Sequence, residues 1–188
     1  MKEVILSHIE ISDDVYDSFV NAAELKHAAR KEIIFYPGRV NKKILFVEKG
    51  ILRAYRLVDG TPYTHFFFME NWFVTDFQSY LTEQPSDLYI ESLTERSYYE
   101  FSKKDLQKLY QRHHEFEKLG RIIAEKAYLK MVERLTDLQT TNLRERYHRL
   151  VRKSPQLLQK VPQKYIASYL GVSEQSLSRI KTSGPSIS

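Results

Sequence analysis

The chain has 188 residues, of which 42% are hydrophobic and 28% are charged, a composition typical of a globular domain. It contains no cysteine, which excludes disulfides, Cys-ligated zinc, thiolate-held iron–sulfur clusters and a cysteine nucleophile. No apolar run approaches the roughly 18–20 residues that cross a bilayer, and the opening MKEVILSHIEIS lacks a signal-peptide pattern, so a cytoplasmic location is expected.

Positive charge is concentrated near the C-terminus. The formal net charge is +5 at pH 7. Residues 139–188 carry nine Lys or Arg and two acids, whereas residues 1–138 carry 20 basic and 22 acidic residues. This asymmetry indicates a polyanion-binding segment attached to a nearly neutral body, with a merely basic surface as the alternative.

A helix is predicted over residues 12–27, SDDVYDSFVNAAELKH. Ser12 can cap its N-terminus, and the two aspartates that follow suit the positive end of a helix dipole. The apolar positions recur at helical spacing and form one stripe: Val15, Phe19, Ala22 and Ala23.

Residues 33–101 have the pattern of antiparallel β-structure. Short runs rich in β-formers are separated by Pro37-Gly38, Lys49-Gly50 and Asp59-Gly60, and Asp-Gly between such runs is a strong hairpin signal. The spacing of the turns predicts a barrel or a sandwich. The aromatic run over residues 64–73 is interpreted as strand core, with an apolar ligand pocket as the alternative.

Helical periodicity returns at Ser102, which can cap a helix with Asp105 three residues later. A long helix is predicted over residues 115–138. Its first stripe contains Gly120, Ala124, Ala127, Tyr128, Met131, Leu135 and Leu138, and its second contains Ile122, Leu129 and Val132. Two stripes on one long helix favour pairing with an identical helix, although a helix enclosed within one domain also fits.

A hinge is predicted near residues 140–142, followed by a basic helix over residues 143–152. Its apolar side chains are expected to point inward: Leu143, Tyr147, Leu150 and Val151. Its arginines are expected to point outward and, with Lys160 and Lys164, to supply salt-dependent phosphate affinity: Arg144, Arg146, Arg149 and Arg152.

Residues 161–180, VPQKYIASYLGVSEQSLSRI, predict two short helices joined by a tight turn. Pro162 suits the start of the first helix, Gly171 suits a left-handed turn, and Ser173 can cap the second helix. The apolar positions are spaced as in a helix-turn-helix: Ile166, Ala167, Leu170, Val172, Leu177 and Ile180. A helical hairpin without DNA-binding function is the alternative.

The β-region with EKG at 48–50 and DG at 59–60, the long helix and the motif IASYLGVSEQSLSRI together resemble the Crp–Fnr family of bacterial transcription regulators. The C-terminal motif is similar to family members from Bacteroidetes. The resemblance implies an α+β fold. This fold has an N-terminal, jelly-roll-like antiparallel β-roll of cyclic-nucleotide-binding type with flanking helices, then a long dimerisation helix, then an all-α helix-turn-helix domain.

The same resemblance implies domains at residues 1–138 and 139–188. It implies a homodimer that binds a pseudo-palindromic operator in double-stranded DNA and works with RNA polymerase. The last seven residues, TSGPSIS, are too few for the β-hairpin wing of many relatives, so a full wing is not expected. By motif position, the DNA-contacting residues are Gln163, Lys164, Ser173, Glu174, Gln175, Ser176, Arg179 and Lys181, of which Glu174, Gln175 and Arg179 would read bases.

The cyclic-nucleotide cassette of the family departs here from its usual residues. Its Gly-Glu pair is replaced by Thr75-Asp76, and its Arg-Ser or Arg-Ala pair is replaced by Ser86-Asp87. A buried cyclic phosphate needs a cation or several N–H donors, so cAMP binding is not expected. An unidentified small-molecule effector would contact these four residues and Tyr128.

No other cofactor is expected, although haem bound through a histidine such as His65 stays open. The chain is not expected to be an enzyme, because it has no Gly-rich phosphate loop, nucleophile elbow or carboxylate pair. His113 and Glu117 can share a helix face, but two ligands do not make a metal site. The remaining alternative is a β-roll sensor or interaction module whose C-terminal helices bind a protein.

Overall fold

The computed structural model describes residues 1–182. Within these residues two helices precede the strands, one helix lies between β6 and β7, and six helices follow the last strand. The elements are α1 (Lys2–Leu6), α2 (Asp13–Asn21), β1 (Ala23–Ala28), β2 (Ile33–Phe35), β3 (Lys43–Lys49), β4 (Leu52–Val58), β5 (Thr61–Phe68), β6 (Phe73–Val74), α3 (Phe77–Thr82), β7 (Tyr89–Ser92), β8 (Arg96–Ser102), α4 (Lys103–Arg112), α5 (His114–Thr140), α6 (Leu143–Lys153), α7 (Pro155–Lys160), α8 (Gln163–Leu170) and α9 (Glu174–Thr182).

The strands form two four-stranded sheets with the orders β1-β8-β3-β6 and β2-β7-β4-β5. The pairs β1–β8, β3–β8, β3–β6 and β2–β7 are antiparallel, as the turn spacing predicted. Asp59 and Gly60 connect β4 to β5 with positive φ angles of 50° and 76°. Positive φ at both central residues is the geometry that favours Asp-Gly in a two-residue hairpin, so this prediction is confirmed.

The predicted helix over residues 12–27 is wrong in its second half. Ser12 does cap α2 by accepting the N–H of Val15, but the helix ends at Asn21. Residues 23–28 instead form β1 and pair with β8 over six residues. The local sequence AELKHA suits a helix, but the hydrogen bonds offered by a distant strand decide its conformation.

One hydrophobic core joins the first sheet to the flanking helices. Its buried members come from the N-terminal segment, β3, β8, α4 and α5: Ile5, Ile9, Phe19, Phe46, Phe101, Leu106, Leu109, Phe116 and Leu119. The Phe19 ring lies 4.5 Å from that of Phe101 and 4.9 Å from that of Phe116, between centroids. This core fixes the start of α5 on the antiparallel sheet.

The long helix α5 contains 27 residues and is therefore about 40 Å long. It follows α4, whose cap is formed as predicted: Ser102 Oγ accepts the N–H of Asp105 at 3.1 Å and donates to its carboxylate at 2.6 Å. Gly120, which was predicted to lie in the first apolar stripe of this helix, faces α4. A Cβ there would lie 3.0 Å from the hydroxyl oxygen of Tyr110, so α4 already occupies this side of the helix.

The chain separates into two compact units. The first contains Met1–Ala54 and Phe67–Tyr128, and the second contains the hairpin segment Tyr55–Phe66 together with Leu129–Ser188. The division falls inside α5. The prediction that a full wing is absent concerns residues after Thr182, which are outside the residues that the structure describes. The second unit has its own small core: Leu150, Leu157, Val161, Ile166, Ala167, Leu170 and Leu177.

Candidate nucleic-acid interface

Helices α8 and α9, here called the C-terminal helix pair, are joined by a tight turn. Gly171 ends α8 in the left-handed conformation, with φ 73° and ψ 34°. Its N–H and that of Val172 bond back to Ser168 and Ala167, which satisfies two carbonyls at the end of α8. Ser173 accepts the N–H of Ser176 at 3.2 Å and so caps α9. Each of these turn and cap positions was predicted from the sequence.

The apolar side of the helix pair is buried and its other side is polar. Ile166, Ala167, Leu170 and Leu177 are each at most 2% exposed. The residues predicted to contact DNA line the polar side: Gln163, Lys164, Ser173, Glu174, Gln175, Ser176, Arg179 and Lys181. All are exposed except Gln163 and Ser176, which are half-buried. Six of the eight residues are therefore accessible to solvent, at the start of α8, in the turn and along α9.

Two of these residues are already in contact. Lys181 near the end of α9 donates to the side-chain oxygen of Gln163, the first residue of α8, at 3.2 Å. This bond brings an ammonium group and an amide, both suited to phosphate contact, to the same place. The Ser173 and Ser176 hydroxyls are likewise 2.9 Å apart.

Two arginines hold the C-terminal end of α8. Arg134 of α5 donates to the carbonyl oxygen of Tyr169, and its guanidinium lies 4.0 Å from the centroid of the Tyr169 ring. Arg146 of α6 donates to the carbonyl oxygen of Leu170 at 3.2 Å. Cations at this end of a helix satisfy its free carbonyls and complement its dipole. Burial lowers the pKa of Arg134 and raises the pKa of Tyr169, which agrees with a desolvated contact.

The predicted outward orientation of the α6 arginines is wrong for two of them. Arg146 also donates to the carbonyl oxygen of Thr141, and Arg149 forms an ion pair with Asp137. Lys153, at the end of α6, is paired with Glu133. These cations hold α6 against α5 within the second unit, so less of the local positive charge is available for phosphate than the sequence indicated. Sequence periodicity could not reveal this, because Asp137 and Glu133 belong to another helix.

Ser168 connects α8 to the β4–β5 hairpin, a contact that could not be expected from the sequence. Its hydroxyl accepts the N–H of Thr64 at 2.8 Å and donates to the carbonyl oxygen of Pro62 at 3.2 Å. One side chain therefore pairs with two backbone groups of β5 that lie more than 100 positions earlier in the chain. This contact explains why residues 55–66 group with the second unit.

The proposed effector residues divide into a network and two exposed positions. Asp76 is buried and caps α3, accepting the N–H of Ser79 on one carboxylate oxygen and the hydroxyl of Ser86 on the other, at 2.5 Å. Thr75 accepts from the Asn41 amide at 2.6 Å and donates to the carbonyl oxygen of Lys43 at 2.8 Å. By contrast, Asp87 is exposed and Tyr128 is 68% exposed.

Both carboxylate oxygens of Asp76 and the hydroxyl of Ser86 are thus used in hydrogen bonds within the protein. Among residues 1–182 no group of three or more His, Cys, Asp or Glu side chains could hold a metal ion. No helix of this part of the chain is long and apolar enough to cross a membrane.

Residues 25–113 match the family model of the cyclic nucleotide-binding domain. No protein of curated function matches the sequence significantly. Many solved structures are similar to this structure, and they include that of the c-di-GMP responsive global regulator CLP of Xanthomonas campestris. It is 17% identical, with a TM-score of 0.71, and the match covers 91% of this chain and 90% of that chain.

Two further similar structures extend the comparison. A CooA mutant from Carboxydothermus hydrogenoformans is 13% identical with a TM-score of 0.70, and the match covers 93% of this chain and 86% of that chain. A protein assigned to the crp/fnr family of transcriptional regulators, from Eubacterium rectale, is 13% identical with a TM-score of 0.69, over 90% and 82% of the two chains. At these identities the likeness establishes the fold. The matched domain family and the similar structures are regulatory proteins, not enzymes.

Proposed function

We propose that the protein is a homodimeric, sequence-specific DNA-binding transcription regulator of Crp–Fnr type. In this proposal the C-terminal helix pair is a helix-turn-helix. Helix α9 enters the major groove and presents Glu174, Gln175 and Arg179 to base edges, while Gln163, Lys164 and Lys181 contact phosphates. The regulator fold of the similar structures supports this role, and RNA polymerase is the expected partner.

The observation that carries the proposal is the surface of the helix pair. The exposed residue types on this side, among them Lys, Arg, Gln and Ser, are those that bond phosphates and base edges. The surrounding residues 139–188 carry a surplus of seven positive charges, which suits a polyanion. Arg134 and Arg146 bond to carbonyl oxygens at the C-terminal end of α8, and six of the eight predicted contact residues are exposed.

Dimerisation is proposed from the exposed apolar face of α5. Tyr128, Met131, Leu135 and Leu138 are separated by three, four and three residues, the spacing of a coiled-coil seam, and Leu129 and Val132 flank them. All six side chains are more than 40% exposed. A continuous apolar stripe of this kind is rare on the surface of a monomer, and an identical helix would cover it symmetrically.

A selection of random DNA duplexes on the purified full chain, at two salt concentrations, tests the proposal. We expect a two-fold symmetric motif with half-sites about one helical turn apart and binding that weakens steeply with salt. Binding of a protein partner without salt dependence, and no enriched DNA in the presence or absence of cell extract, would favour the interaction-module alternative instead.

Replacing Arg179 by alanine is expected to cost roughly 1–3 kcal/mol of specific DNA affinity and to relax the preference at one position of each half-site. Lys164→Ala is the matched control, because an exposed phosphate contact should weaken all sequences about evenly. Fluorescence anisotropy on the selected operator and on a scrambled duplex separates the two effects. An unchanged operator preference in Arg179→Ala would show that α9 does not read bases through this residue.

The cassette region is proposed not to accept a cyclic phosphate, since Asp76 and Ser86 bond to each other where a cation is needed. Calorimetric titration of the full chain with cAMP is expected to give no saturable heat. The variant Ser86→Arg, with Asp76 kept, is expected to stay inactive towards cAMP because the new guanidinium would pair with the Asp76 carboxylate. Micromolar binding of cAMP by the unmodified chain would contradict this proposal.

A further inference from the structure

Arg96, the first residue of β8, is buried opposite an apolar residue of the neighbouring strand. Its side chain and backbone together are only 4% exposed. Side chains alternate along a strand, so Arg96 and Tyr98 share the face of β8 opposite to Phe101, which belongs to the helix-side core. The residue directly across from Arg96 on β1 is Ala28.

The guanidinium of Arg96 has no hydrogen-bond acceptor within the described residues. All three of its nitrogens are buried and none makes a hydrogen bond. The Tyr98 ring lies 5.1 Å from the guanidinium carbon, and a ring face attracts a cation without accepting its N–H groups in the usual geometry. The Glu32 carboxylate bonds instead to the N–H of Ala29, at 2.8 Å.

This guanidinium is charged at neutral pH. Burial lowers the pKa of Arg96 to about 10, while Tyr98 and Glu32 oppose that change. A pKa near 10 still leaves the group protonated at pH 7, and a buried cation with unpaired donors is costly. Arg53 provides the contrast within the same chain: it is equally buried, but it bonds to Glu91 at 2.8 Å.

The Cβ atom of Arg96 lies close to the turn that precedes β4. A Cβ on Gly50 would lie only 2.7 Å from the Cβ of Arg96, and Gly50 has a φ of 102°. The turn can pass this closely because Gly50 has no side chain. The first carbon of the Arg96 side chain is therefore packed directly against this turn.

We propose that Arg96 is the centre of a binding site for a small oxyanion, a carboxylate or phosphate group that accepts the fork of guanidinium N–H groups. Both groups match the bidentate geometry of arginine. The site is separate from the Thr75–Asp76 and Ser86 network, whose polar groups are already paired. Its role as an effector site rests on the proposed regulator function, whereas anion binding itself does not.

Thermal unfolding of the full chain without DNA tests the site. The wild-type protein and Arg96→Met are compared in phosphate, in acetate and in chloride at constant ionic strength. For the wild type we expect the unfolding midpoint to rise by about 5 °C when the oxyanion is fifty-fold above its Kd. Arg96→Met should show no such rise, and in chloride its midpoint should equal or exceed that of the wild type.

Two variants serve as controls. Arg53→Met removes a paired buried arginine and should lower the midpoint while keeping the oxyanion response. Arg179→Ala should also keep the response, which separates Arg96 from phosphate bound on α9. The relative response to phosphate and acetate identifies the anion class.

The proposal is overturned if the wild type shows no oxyanion response, or if Arg96→Met responds as strongly as the wild type. If Arg96→Met fails to fold, Arg96→Lys decides. Lysine keeps the charge but lacks the fork, so we expect at least about tenfold weaker anion binding. An unchanged response in Arg96→Lys would also overturn the site. Because no DNA is present, failure here leaves the DNA-binding proposal untouched.

Discussion

Replacing Leu135 by lysine is expected to convert the proposed dimer into a monomer and to weaken binding to the proposed two-fold operator by about 100-fold or more. Leu135 lies in the middle of the exposed α5 stripe and is 55% exposed in the single chain. Each leucine buried in a seam contributes roughly 1.5–3 kcal/mol, and a symmetric dimer contains two copies. Lysine removes this gain and places two like charges at the seam. Sedimentation velocity and operator titration measure the two effects.

Thr136→Lys is the matched control for this prediction. It adds the same charge one position further along α5, outside the three-four-three spacing of the stripe. This variant should remain dimeric and should bind the operator at least as well as the parent, since the added charge is positive. A Leu135→Lys protein that sediments as a dimer would exclude the α5 stripe as the interface. Circular dichroism confirms that both variants are folded.

Arg53→Met is expected to destabilise the first unit by about 3–5 kcal/mol, the largest stability effect foreseen for a single substitution in this chain. Arg53 is 2% exposed and bonds to Glu91, which is also buried. Removing only the arginine leaves a carboxylate in the protein interior without its cation, whereas the shape of methionine leaves little cavity. Urea unfolding followed by far-ultraviolet circular dichroism gives the change in the free energy of unfolding.

The double variant Arg53→Met with Glu91→Leu separates the loss of the pair from the burial of an unpaired charge. It should recover most of the stability lost in Arg53→Met, because an apolar pair of similar volume replaces a buried ion pair at little cost. If the free energy of unfolding of Arg53→Met lies within about 1 kcal/mol of the wild-type value, the Glu91 carboxylate has another hydrogen-bond partner or contact with water. The argument from its burial would then not apply.

The helix caps and tight turns of this chain could be predicted from its sequence, because the groups that form them are close together along the chain. Ser12, Ser102 and Ser173 each accept an N–H three residues later, and Asp59-Gly60 makes its turn within two residues. The same holds for the left-handed Gly171 between α8 and α9. When the interacting residues lie within four positions of one another, the local sequence is enough to predict their conformation.

Other elements depended on partners that the sequence does not mark. β1 was predicted as helix, because AELKHA has helical propensity and only its pairing with β8, 68 to 78 positions later, makes it a strand. Arg146 and Arg149 were predicted to face solvent, and they bond instead to Leu170 and Asp137. A helical wheel shows which side is polar, but it does not show which polar groups meet across helices.

The sequence by itself determined the antiparallel β-region, the long helix, the C-terminal helix pair and the concentration of positive charge near it. The tertiary structure alone decided which charges are used inside the protein. It paired Arg53 with Glu91, placed Arg134 on the end of α8, joined Ser168 to β5 and left Arg96 buried without an acceptor. The physical reason is that burial and pairing depend on groups brought together from distant parts of the chain, whereas caps, turns and periodicity are set by near neighbours.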